Sequence, residues 1–188
     1  MKHLIASMKF EDKLRKAISQ NNSLLCVGLD PNPQDLKNYK DQFDFNKAIV
    51  DQTSDLVCCY KPQIAFYAAA GQRGLEDLKK TIDYIHKNFG QIPVILDAKR
   101  GDVPSTSRMY VKEVFDVFGA DATTVNPYCG FDSLVPFFER KDRGVFVICR
   151  TSNASAVDFQ DLKVGESQVY VKVAHQIINW SKKYPNVY

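Results

Sequence analysis

Apolar and polar positions alternate along the chain in two periods. Short β-branched-rich runs at 24–29, 56–60, 93–96, 122–125 and 145–149 read as strands. Segments at 45–54, 75–89, 105–118, 131–139 and 167–182 carry a helical period. Near-continuous apolar strands alternating with amphipathic helices predict an α/β fold, a parallel sheet covered by helices. Polar groups recur just past each strand: Asp30, Lys61, Asp97 with Lys99, Asn126, and Arg150-Thr151-Ser152-Asn153. Functional groups at the C-terminal ends of parallel strands are the geometry of a (β/α)8 TIM barrel. A doubly wound sheet also binds ligands there, but no GxGxxG or Walker pattern follows the first strand. Residues 1–188 read as one domain without a linker. Five strand–helix units are complete, and Asn186-Val187-Tyr188 reads as the start of a sixth strand. A full barrel takes about 250 residues, so the expectation is a C-terminally incomplete barrel.

Composition narrows the class. The chain is 45% hydrophobic and 25% charged, as in globular proteins. A net charge of +3 without a basic run gives no reason to expect nucleic acid. Five cysteines, with no CxxC pair, read as mostly buried free thiols in a reducing compartment. Residues 4–8 are the only uncharged stretch near the N-terminus, too short for a signal peptide or membrane span. The expected location is the cytoplasm, away from membranes.

The densest chemistry lies at Val94-Ile95-Leu96-Asp97-Ala98-Lys99-Arg100-Gly101-Asp102. Strand alternation puts Asp97 and Lys99 on one face where a buried strand meets solvent. Desolvating such charges is costly unless they are paired. Flanking carboxylates keep a lysine charged, which makes it a poor Schiff-base nucleophile. It suits a fixed cation and proton donor for a developing carbanion. His3 lies near the N-terminus, and His86 and His175 fall in predicted helices, where surface or core packing is expected. No HExxH or paired-histidine pattern points to a metal. Singly, each residue has a bland reading. Asp30 before Pro31 suits a turn, Lys61 a solvated loop, and Asp97 with Lys99 a structural ion pair. Thr106, Ser152 and Asn153 could cap helices. Their common position at strand ends argues against independent bland roles.

Several ordered motifs carry a resemblance. They are Cys26-Val27-Gly28-Leu29-Asp30-Pro31, Tyr60-Lys61-Pro62-Gln63 with Ala65-Phe66-Tyr67, and Asp97-Ala98-Lys99-Arg100-Gly101-Asp102 with Thr106. Thr124-Val125-Asn126-Pro127-Tyr128 and Thr151-Ser152-Asn153 complete the order. The chain resembles the orotidine 5'-phosphate decarboxylase family, in particular its longer, second-type bacterial branch. That resemblance implies cofactor-free, metal-free decarboxylation of orotidine 5'-monophosphate to uridine 5'-monophosphate. It implies Lys99 as proton donor to C6 and Asp97 beside the leaving carboxylate. Lys61 and Asp30 would hold ribose hydroxyls, and Ser152 the pyrimidine edge. Asp102 and Thr106 would reach the partner's site in a homodimer. After Thr-Ser-Asn the family usually continues Pro-Gly, whereas this chain reads Ala154-Ser155. The family's phosphate-gripping residues are expected past position 188. Three rivals stand beside this reading. Two are a magnesium-dependent sugar-phosphate decarboxylase or aldolase of the same superfamily and a Schiff-base aldolase. The third is a non-catalytic truncated barrel acting as a binding module.

Overall fold

The computed structural model describes residues 8–188. The readings placed on His3 and on residues 4–7 lie outside the described residues. Helix α1 (Phe10–Asn21) precedes β1 (Cys26–Leu29), α2 (Gln42–Thr53), β2 (Cys59–Pro62) and the short α3 (Ile64–Ala68). Next come α4 (Gly71–Asn88), β3 (Ile95–Arg100) and α5 (Pro104–Val111), which runs into a π-helical turn at Lys112–Val117. Then β4 (Ala122–Val125), α6 (Phe131–Phe138) and β5 (Gly144–Val147) follow. A two-residue hairpin, β6 (Lys163–Val164) and β7 (Ser167–Gln168), leads into α7 (Val169–Ser181).

Strand pairing decides between the two parallel architectures. β1 pairs with β2, β3 with β4, and β4 with β5, all parallel. Parallel bridges Tyr60↔Val94 and Gln63↔Asp97 join β2 to β3, and Val145↔Val187 adds the predicted sixth strand beside β5. Every stave therefore neighbours the next in sequence. A doubly wound sheet would break that order at its switch point, and a barrel does not.

Side-chain alternation then sorts residues into layers. Tyr60, Leu96, Val125, Val145 and Val147 belong to the larger core, packed against the helices. Cys59, Ile95 and Ala122 face inward with Phe10 of α1 and Phe146. Phe10 fills the N-terminal end of the strands, 5.8 Å edge-on to Phe146. Two residues further along the same inward face come Lys61 on β2, Asp97 on β3 and Thr124 on β4.

Several expectations shift. Helices α1 and α3 and the β6–β7 hairpin were not predicted, and β2 starts three residues later than position 56. Only Cys58 and Cys59 are buried; Cys26 and Cys129 are exposed and Cys149 is half-buried, though all five are free. Cys26 lies on β1, which has β2 as its one strand neighbour among the described residues. Cys129 sits in the Pro127–Cys129 turn on the rim. His86 does more than fill space, because its Nε2 lies 2.8 Å from Asp121 Oδ2. His175 is exposed, as expected. No helix among the described residues is long and apolar enough to cross a membrane.

Candidate active site

Asp97 is the centre of the strand-end cluster and is only 7% exposed. A carboxylate so placed needs partners to offset its lost hydration. Lys99 Nζ donates to both of its oxygens at 2.7 Å. Thr124 Oγ1 donates to Oδ1 at 2.6 Å, and Gln63 Nε2 donates to Oδ2 at 3.0 Å. The Lys61 ammonium stands 3.5 Å from Oδ2. Burial by itself pushes the Asp97 carboxyl up. Hydrogen bonds from Lys99 and Thr124, with the charges of Lys99 and Lys61, outweigh it and hold the group below the ordinary carboxylate range.

The route by which Asp97 and Lys99 share a side differs from simple alternation. Leu96 pairs with Thr123, but Arg100 pairs with Val125, so β3 bulges between them. Lys99 takes φ +49°, in the left-handed region. A non-glycine residue there costs on the order of 1–3 kcal/mol, and such strain concentrates at functional sites. Gly101 follows, and the backbone crowds it: a Cβ at this position would lie 2.5 Å from the Asn126 carbonyl oxygen. Gly101→Ala is therefore expected to separate the ends of β3 and β4. A loss of about 1–3 kcal/mol in urea unfolding would match ordinary overpacking, and an unchanged midpoint would contradict this packing.

The remaining predicted residues divide into two groups. Asp30 stays close to the cluster: its Oδ1 accepts from Gln63 N at 3.1 Å. The end of β1 is fixed by Tyr67, whose hydroxyl donates to the Leu29 carbonyl at 2.7 Å and accepts from Asn46. Ser152 is exposed on the loop after β5 and lines a cavity of about 560 Å³ with Lys99, Thr124, Arg150, Thr151 and Asn153. That volume suits a small-molecule ligand. Asp102 and Thr106 stand apart. Asp102 Oδ1 accepts from the adjacent Val103 N at 2.6 Å. Among the described residues, no hydrogen bond or ion pair joins Asp102 or Thr106 to Lys61, Asp97 or Lys99. Arg150 is held by Asp161 through two 2.8 Å contacts. A second cavity, about 570 Å³, lies between the Asp35–Asn38 turn and α3 and is lined by Leu36, Phe66 and Ala69. None of the strand-end charges lines it, so the chemistry belongs to the first.

Sequence reasoning passed over two residues that touch Asp97. Gln63 was visible only as a motif letter. Its Oε1 accepts from Ala65 N at 3.2 Å, starting α3, which turns its amide nitrogen toward Asp97. Thr124 sits in a strand run, where a β-branched residue needs no special explanation.

A profile of the family described as orotidine 5'-phosphate decarboxylase / HUMPS matches residues 23–185. The chain belongs to that family. It is 49% identical over 177 residues to orotidine 5'-phosphate decarboxylase of Cellvibrio japonicus, covering 89% of this chain and 63% of that protein. The decarboxylase of Ralstonia pickettii is also 49% identical, over 90% of this chain and 64% of its own length. The chain thus spans less than two thirds of these curated relatives. Among solved structures, Leishmania donovani OMP decarboxylase superposes with a TM-score of 0.85 at 36% identity, covering 96% of this chain and 68% of that one. The UMP synthase of the same organism gives 0.86 at 36% identity, with 96% and 39% covered. These matches fix the architecture as the parallel β/α barrel of the decarboxylase family.

Proposed function

We propose that this chain carries the charge relay for cofactor-free decarboxylation of orotidine 5'-monophosphate to uridine 5'-monophosphate. The observation that carries the reading is one ionised carboxylate, Asp97, held between the ammonium groups of Lys99 and Lys61 at strand ends beside a cavity. The bond from C6 to the substrate carboxylate breaks heterolytically. Carbon dioxide leaves and the electron pair stays on C6. The Lys99 ammonium lies beside that charge and delivers the proton that completes the product. Asp97, held ionised, sits against the departing carboxylate and holds the Lys99 side chain in place. Lys61 and Asp30 hold the ribose hydroxyls, and Ser152 meets the pyrimidine edge. Asp102 and Thr106, which among the described residues make no hydrogen bond or ion pair to Lys61, Asp97 or Lys99, complete the site of a second copy in a homodimer.

The magnesium-dependent rival finds less support. A lysine ammonium 3.5 Å from Asp97 opposes a divalent cation at the same carboxylate. The test is release of labelled carbon dioxide from orotidine 5'-monophosphate with EDTA present. It is run on this chain and on a fusion extending it with the remaining C-terminal segment of the Cellvibrio japonicus relative. Turnover in either form, indifferent to EDTA, is expected. No turnover in both would overturn the reading. Magnesium-dependent turnover of a sugar phosphate would favour the rival, and substrate binding without turnover the binding module.

A further inference from the structure

We propose that Thr124 is a positioning residue that sets both Lys99 and Asp97 before substrate arrives. Its hydroxyl makes two contacts whose directions are forced. An ionised carboxylate only accepts, so the single hydroxyl proton goes to Asp97 Oδ1 across 2.6 Å. The oxygen lone pairs are then free, and the Lys99 main-chain N–H donates to them at 3.0 Å. One side chain on β4 thereby ties the carboxylate to the backbone of the residue it must align.

Geometry explains why such a tie is needed. The bulge between Leu96 and Arg100 removes the ordinary ladder partner at Lys99. Lys99 is left at φ +49° with no glycine or asparagine to favour that conformation. The threonine hydroxyl supplies the missing acceptor. On the far side of the bulge, the Arg100 guanidinium is clamped by Glu113 at 2.9 and 3.0 Å and lies 4.6 Å from the Tyr110 ring centre. The bulge is thus anchored at both flanks, and the Lys99 side chain leaves it with its ammonium on Asp97. Without the hydroxyl, the Lys99 N–H loses its acceptor and Asp97 loses one of its donors.

The test separates this role from turnover, on whose reading only its kinetic arm rests. Carbon-13 NMR follows the Asp97 carboxyl titration in the parent chain, Thr124→Val and Thr124→Ser. Thr124→Val is expected to move the midpoint up toward the ordinary carboxylate range, and Thr124→Ser to restore the parent value. An unmoved midpoint in a folded Thr124→Val protein would overturn the proposal. If the valine variant does not fold, amide hydrogen exchange in the parent chain decides. A protected Lys99 amide supports the tie, and exchange at the rate of a free loop amide overturns it. In a form that turns over substrate, Thr124→Val is expected to lower kcat about 10- to 100-fold with KM nearly unchanged. Equal loss in the serine variant would show that the hydroxyl is not the cause.

Discussion

In a form that turns over orotidine 5'-monophosphate, replacing Lys99 with alanine is expected to lower kcat by about four orders of magnitude while the fold persists. Proton transfer from a positioned group contributes typically about 10²–10⁴-fold. A fixed cation at a developing negative charge contributes about 10²–10³-fold more. The two are not additive, because one ammonium performs both. Stability should change little: the Lys99 side chain is 47% exposed, so its ion pair with Asp97 is screened and contributes about 1 kcal/mol or less. Trp180, the one tryptophan in the chain, packs 5.5 Å from Phe131 and 5.9 Å from Phe138. Its fluorescence therefore reports whether α7 is still docked on α6. Lys99→Arg adds a second discrimination. It keeps a positive charge but the guanidinium does not release a proton at working pH. A loss close to that of alanine assigns the effect to proton delivery, and near-parental turnover assigns it to charge. Alanine activity within tenfold of the parent would remove Lys99 from the chemistry.

The pH profile follows from the same cluster. The Asp97 carboxyl is held below its ordinary value in the folded protein. A depressed carboxyl contributes stability that is present above its unfolded value, near 3.9, and is lost as pH falls through the folded one. The Asp97 carboxylate therefore stays ionised through the neutral and mildly acidic range.

Much of this was legible from local pattern. Charges abutting the apolar run Val94-Ile95-Leu96 marked Asp97 and Lys99 because an unpaired charge there would be too costly. The strand order was legible because each apolar run was followed by a helix-period segment. The final strand residues were legible too, since Val145 N donates to Asn186 O and Val147 N to Tyr188 O. The bulge was not legible, since nothing in Ala98-Lys99-Arg100 announces a left-handed residue. Thr124 was missed because an uncharged residue inside a strand run has a sufficient bland role, and Gln63 because an uncharged residue just past a strand reads as an ordinary cap. α1 carries a helical-period stripe at Phe10, Leu14, Ala17 and Ile18 that is visible in the sequence. What pattern cannot reveal is a contact among distant segments. Asp121 meets Lys13 from 108 positions away and His86 from 35.

That contact carries the largest expected effect on stability. Asp121 precedes β4 at the N-terminal end of the strands, the end of such barrels associated with stability rather than catalysis. Its carboxylate accepts from Lys13 Nζ on α1, from Val94 N before β3, and lies 2.8 Å from His86 Nε2 on α4. Arg143, before β5, stands 3.9 Å away. Burial pushes the carboxyl up, but the His86 hydrogen bond and the Lys13 charge override it and hold it at about 2. Lys13 shifts the other way from a simple stabilised pair. Burial, the largest cause, together with the Arg143 charge lowers it more than Asp121 raises it. The carboxylate collects several donors, whereas the ammonium has one close acceptor, so the net gain sits on Asp121. Asp121→Asn removes the charge and leaves the Lys13 ammonium, 5% exposed, without compensation. The expected cost is about 3–5 kcal/mol, or roughly 10 °C in Tm for a chain of this size. Lys13→Met leaves Asp121 its other donors and should cost much less. The double variant should recover part of the Asp121→Asn loss, a coupling that a thermodynamic cycle reads directly. The acid limb has a fixed sign. Stability owed to Asp121, on the order of 2 kcal/mol, is present above about pH 4 and is lost as pH falls toward 2. Urea midpoints for parent and Asp121→Asn should therefore converge as pH falls through that window. Curves that stay parallel would show that the buried carboxylate does not anchor α1 and α4 beneath the strands.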